Sequence, residues 1–233
     1  MIAFQGFPKE AITFFRGLAR HNDREWFQPR KEIFDSKVKA PMIELVEGIN
    51  LHLRQFAPGH LAEPSKAIYR IYRDTRFSND KTPYKTHIGA LFPRKGAGFS
   101  KHGAAGYYVA ISAKGVEIAG GMYMPDPKEL IAVRSWLAEH HEDFRKALRG
   151  PKKLMGELQG ESLQRVPKGF AADHPAADLL KMKQWHFYVT LDVELATTPK
   201  LLPEIVKRFQ VMAPVIDLLN GPLKKAARAA EFI

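Results

Sequence analysis

The chain contains no cysteine. That single absence excludes disulfide cross-links, zinc ribbons, cysteine-ligated iron–sulfur clusters and every thiol nucleophile. No stretch reaches the roughly 18 consecutive apolar residues that a membrane-spanning helix needs. The opening stretch MIAFQGFPKEAITFF lacks a basic segment followed by an apolar one, so it does not read as a secretory signal, and a cytoplasmic protein with no membrane partner is expected. G-x-G-x-x-G, Walker-type, H-E-x-x-H and G-x-S-x-G patterns are all missing, which leaves dinucleotide, P-loop, zinc-protease and hydrolase chemistry without support. No cofactor pattern and no metal-ligand spacing is recognisable. What is there is ordinary in bulk: 233 residues, 45% hydrophobic and 26% charged, enough to bury a core. One property stands out. There are 36 basic against 25 acidic residues, a formal net charge of +11.

The excess is concentrated. Residues 66–103 hold 9 basic and 2 acidic side chains, so this one stretch carries 7 of the 11 surplus charges. A site for an anion gathers charge in this way, whereas a generally basic surface scatters it.

Periodicity organises the rest into one domain over residues 1–233, with no convincing internal boundary. Residues 8–56 read as a helical layer. Pro8 starts one helix, Asn22 with Glu25 suggests a capping box, Pro29 restarts the helix and Pro41 interrupts it. Strands are expected at 67–73, 88–92, 107–112, 116–122 and 185–193, within sheet regions 66–122 and 185–193. Ala113-Lys114-Gly115 joins two of them as a hairpin. Asp126-Pro127-Lys128-Glu129 opens a helix over 126–149. Thr198-Pro199 opens another over 198–220, closed by Asn220-Gly221. Residues 150–174 read as loop. The order predicts an α+β fold, a mostly antiparallel sheet of about five strands covered by N- and C-terminal helices.

The chemistry lies in RIYRDTRFSNDKTPYKTH, residues 70–87, which leaves a predicted strand and crosses a turn-rich loop. Arg70, Arg73 and Arg76 offer planar forks for phosphate or carboxylate oxygens, and Lys85 adds a point charge. Tyr72, Phe77 and Tyr84 interleave as stacking platforms would. Asp74 and His87 are candidate general bases, with Lys81 to stabilise developing charge. A purely structural reading competes: Arg70 with Asp74 as an ion pair, Asp80 with Lys81 shaping the turn. Two acids cannot neutralise these five cations together with Lys66, however, and the surplus needs solvent or a ligand.

That run, with GFPKEAITFFRGLARHNDREWF upstream and GGMYMPDPKELIAVR downstream, resembles the conserved hypothetical family known as domain of unknown function 2461, from about Phe4 to the last helix. The resemblance implies one soluble domain and brings no activity, cofactor or catalytic residue with it. His21-Asn22-Asp23 stands where a pair of asparagines is usual, and Phe34 where a tyrosine is. Ligand hydrogen bonding is therefore not expected from that region.

Weaker candidates complete the reading. Arg134 flanks the apolar face of its helix and is expected at the same cleft or on the surface. Gly120-Gly121 beside Tyr123 suggests close approach by a ligand or a neighbour. His140-His141-Glu142-Asp143 diverges around a helix and suits no single ion. His186 and Asp192 lie too far apart along a strand for a dyad. Three function classes follow, in order. The first is binding of an anionic, phosphate-bearing ligand, nucleic acid or nucleotide, at residues 70–87. The second is an enzyme acting on a phosphorylated or carboxylated small molecule. The third is a structural or protein-interaction domain.

Overall fold

A computed structural model describes residues 4–96 and 103–230, with side chains through Leu223. Lys101, one of the cations of the basic stretch, lies outside the described residues.

The N-terminal layer begins with α1 (Lys9–Arg20), which buries Ala11, Ile12, Phe14, Phe15 and Leu18 on one face. The short α2 (Arg24–Phe27) is capped by Asp23, whose carboxylate accepts from the Trp26 N–H at 2.7 Å. The expected box of Asn22 with Glu25 does not form, because the next residue caps the helix instead, which leaves the Asn22 amide for another task. After α3 (Lys31–Ile33), Pro41 does not break the helix. The chain widens to a π turn over Phe34–Lys39, in which the Ala40 N–H bonds to the Asp35 carbonyl five residues back, and runs on as α4 (Ala40–Phe56). A π turn absorbs the ladder defect that a proline without N–H creates. A further short helix, α5 (Pro64–Ala67), follows.

The sheet is an antiparallel meander of four strands in the order β1 (His87–Phe92), β2 (Gly106–Ser112), β3 (Val116–Met122), β4 (Trp185–Leu191). The β2–β3 hairpin forms as expected, with Gly115 at φ +156°. The expected first strand is not one. Residues 68–73 make two isolated bridges, Ile68 to Ala90 and Tyr72 to Tyr84. Four residues on one side answer six on the other, so the register slips by two between the bridges and no continuous ladder forms. The result is a broken ribbon along β1, held by Tyr69 N–H to Gly89 O (2.9 Å), Lys85 N–H to Ile71 O (2.8 Å) and Arg73 N–H to Pro83 O (2.9 Å).

Between β3 and β4 stand α6 (Pro127–Met155), bent at His140, and α7 (Ala177–Lys181). Helix α6 has the predicted capping box, with Asp126 accepting from Lys128 and Glu129 and the Glu129 carboxylate accepting from the Asp126 N–H. Its end lies six residues beyond the expected 149. The last helix, α8 (Leu201–Ala230), does not stop at Asn220-Gly221. Asn220 is buried, and its amide donates to the Ala105 carbonyl and accepts from the Ala105 N–H, both at 3.0 Å. The asparagine serves as a bridge to the chain entering β2, and the backbone stays helical through Asn220 and Gly221, with no left-handed residue to end it.

Helix α8 covers one face of the sheet. Phe209 packs 5.9 Å from Phe92 and 4.7 Å from Tyr107, while Met212 and Ile216 press on Gly120. Helices α4 and α6 flank α8, and the buried apolar residues form one contiguous cluster. On the opposite face Leu91, Tyr108, Ala119, His186 and Tyr188 remain partly open. Among the described residues no helix is long and apolar enough to cross a membrane.

Candidate functional site

The 70–87 segment is docked onto the helical layer by Asn22. Its amide donates to the Tyr84 carbonyl at 2.9 Å and its oxygen accepts from the Tyr84 N–H at 3.0 Å. The Tyr84 ring stacks on Phe27 at 4.1 Å and is 1% exposed. Its expected role as a ligand platform is therefore corrected: the ring anchors the segment to the core. Between α1 and this segment opens a cleft of about 610 Å³, lined by Asn22, Arg73, Asp74, Asp80, Thr82, Lys85 and His87 among others.

The charges then resolve one by one. Arg73 binds Asp80 and Thr82, and Asp80 also accepts from the Thr82 N–H at 2.9 Å. These bonds hold the Asp80 carboxyl down at about 2. Arg76 grips Asp74 with two side-chain bonds of 3.0 and 2.8 Å, which brings Asp74 to about 2 as well. A carboxylate that acidic is a poor proton acceptor, so Asp74 does not suit a general base. Lys81 donates to the Thr75 carbonyl at 2.9 Å and closes the loop neck, away from the cleft wall. Lys66 pairs with Glu63 at 2.7 Å. Two cations of the segment make no salt bridge among the described residues: Lys85, and Arg70, which is exposed and whose charge helps to lower the Asp74 pKa.

Lys85 is half-buried in the cleft, and its ammonium lies 5.1 Å from the Tyr69 ring centre. Burial lowers its pKa, and nearby Arg70 lowers it further. Such a contact with an aromatic face offsets part of a cation's lost hydration but leaves its charge uncompensated. His87 stands beside it, its pKa lowered by burial and by Lys85 while Glu117 pulls the other way. Its imidazole is neutral at pH 7 and able to accept a proton.

Arg134 does not join the cleft. It is buried on α6, and its guanidinium donates to the Met182 carbonyl at 2.9 Å, which ties α6 to the chain entering β4. Arg70, Arg76 and Lys81 stand outside the cleft lining, whereas Arg73, Asp74, Tyr84, Lys85 and His87 are brought together there. Asn22 and Thr82 are the residues that sequence reasoning passed over. The signal for Asn22 was its place beside a residue better able to cap α2. No group of three or more metal-ligating side chains is assembled among the described residues.

A family model described as conserved hypothetical protein, domain of unknown function 2461, matches residues 10–218, about nine-tenths of the chain. No curated protein matches it.

Proposed function

The chain belongs to that conserved hypothetical family, and we propose that it binds an anionic, phosphate-bearing ligand, a nucleotide or a nucleic-acid strand, in the cleft between α1 and residues 70–87. One observation carries this reading. Lys85 is a half-buried cation in a concave site whose two carboxylates, Asp74 and Asp80, are already held by Arg76 and Arg73. Burying an unpaired charge is unfavourable, and an incoming anion relieves that cost. Arg70 adds a second positive charge nearby, felt at Lys85. The other cations of the segment serve the loop: Arg73, Arg76 and Lys81 give it a defined shape, which preorganises the wall that Lys85 occupies. The enzyme alternative narrows to His87 as the proton acceptor.

The test is direct titration at low salt with nucleoside monophosphates and with a fluorescently labelled single-stranded oligonucleotide. Binding that weakens at least tenfold in Lys85→Glu, with Arg145→Ala, whose side chain pairs with Asp178 outside the cleft, close to wild type, supports the proposal. Absence of binding at low salt, or affinity indifferent to Lys85→Glu, refutes it.

A further inference from the structure

A second hollow of about 380 Å³ lies on the open face of the sheet. Strand register builds it. Tyr108 of β2 stands opposite Ala119 of β3, and Ala119 opposite Tyr188 of β4. Residues in register share a face, and neighbouring strands lie about 4.8 Å apart, so two tyrosine-bearing strands stand ~10 Å apart with a methyl group between them. The Tyr108 ring leans outward across Gly89, where a Cβ would meet its hydroxyl at 2.6 Å. The Tyr188 hydroxyl turns toward Thr190 on its own strand, 3.4 Å away. Ala119 is left partly uncovered at the bottom of an aromatic trough. At one end Tyr69 stands 6.3 Å from Tyr108, and at the other Tyr123 meets His186 edge to face at 5.2 Å. Tyr69, Tyr123 and Tyr188 are 37%, 60% and 38% exposed. Exposed tyrosines gathered around one hollow mark a recognition surface, because each offers a wide apolar face with a polar tip.

The trough and the cleft share a wall. Tyr69 lines the trough, and the ammonium over its ring belongs to Lys85 of the cleft. The charge at that junction selects an occupant with an aromatic body and an anionic end. We infer that the trough receives the flat heteroaromatic ring of a ligand whose phosphate reaches Lys85, so that the substrate class is a nucleotide or a single-stranded nucleic acid with one base on the tyrosines. The inference rests on the cleft reading for the phosphate, but it makes a separate claim about the ring. His186 also lines the trough, and its Nδ1 is buried without a partner.

The experiment compares ribose 5-phosphate, adenosine and the four nucleoside monophosphates by calorimetry and saturation-transfer NMR. At least one monophosphate is expected to bind about tenfold or more tighter than ribose 5-phosphate, the gain that stacking on aromatic side chains supplies. Ala119→Phe, which fills the trough, and Tyr188→Leu, at an exposed position that tolerates change, should each remove that gain and leave ribose 5-phosphate binding intact. Tyr188→Phe should keep it. Lys85→Ala should weaken ribose 5-phosphate while saturation transfer to adenosine persists. If every monophosphate binds no tighter than ribose 5-phosphate, or the gain survives both trough variants, the inference is overturned and the cleft reading stands. Loss of the cleft reading has a different signature: ribose 5-phosphate binding that is absent or unaffected by Lys85→Ala.

Discussion

A lysine becomes informative when its neighbours are already spoken for. Asp74 and Asp80 are taken by Arg76 and Arg73, so Lys85 keeps its charge inside a wall. The residue that makes this wall possible is Asn22, a position at which no ligand role was expected. Asn22→Ala removes both hydrogen bonds and strands the N–H and carbonyl of a buried tyrosine; the expected cost is about 2 kcal/mol, read from denaturant unfolding, with loss of cleft binding. Two imidazoles give a pH signature. His87 and His186 both have pKa values lowered chiefly by burial. Below about pH 6.5 the unfolded chain binds protons at these sites that the folded protein refuses, so the folded state loses ground as pH falls. Their contribution is complete above pH ~6.5 and declines on acidification through the lowered folded values. Denaturant midpoints should therefore drop between pH 7.5 and 5.5, and the double variant His87→Gln, His186→Gln should flatten that slope.

Among the elements, those with a local cause were legible from sequence. The Asp126 capping box, the Ala113-Lys114-Gly115 hairpin and the alternation of Trp185 to Leu191 each rest on neighbours a few residues apart, and each formed. The failures have non-local causes. Residues 67–73 have the composition of a strand, but a two-residue slip against 84–90 decides their form, and composition says nothing of register. Asn220-Gly221 looks like a helix stop, yet Ala105, 115 positions earlier, occupies the asparagine. The same holds for the site: the clustering of charge along 70–87 was visible, while the pairings that silence most of it were not. Asn220→Leu should lose both buried bonds and orphan the Ala105 backbone groups, a destabilisation of about 3 kcal/mol by thermal or chemical unfolding. Far less is expected at Arg145, whose partner Asp178 is largely exposed.

For the molecule as a whole, a net charge of +11 suggests broad affinity for polyanions, and the pairing pattern revises that. With Arg70 and Lys85 as the cations of the segment outside any salt bridge, about two phosphates are neutralised. The logarithm of affinity for a single strand should then fall with the logarithm of salt at a slope near −1.4, not the steep value that seven surplus charges would give. Anisotropy titrations between 20 and 200 mM salt measure it. The broken ribbon has one more consequence, for the protein's dealings with its own copies. It lies along the outer side of β1, while Gln159 exchanges backbone bonds of 2.7 and 3.1 Å with His186 on the outer side of β4. Unpaired strand borders are where chains zip together into aggregates. Here both borders carry irregular cover, which bonds the strand yet offers no straight ladder for a further strand to extend. The slip that cost residues 68–73 their place as a fifth strand thereby makes them a terminator of the sheet.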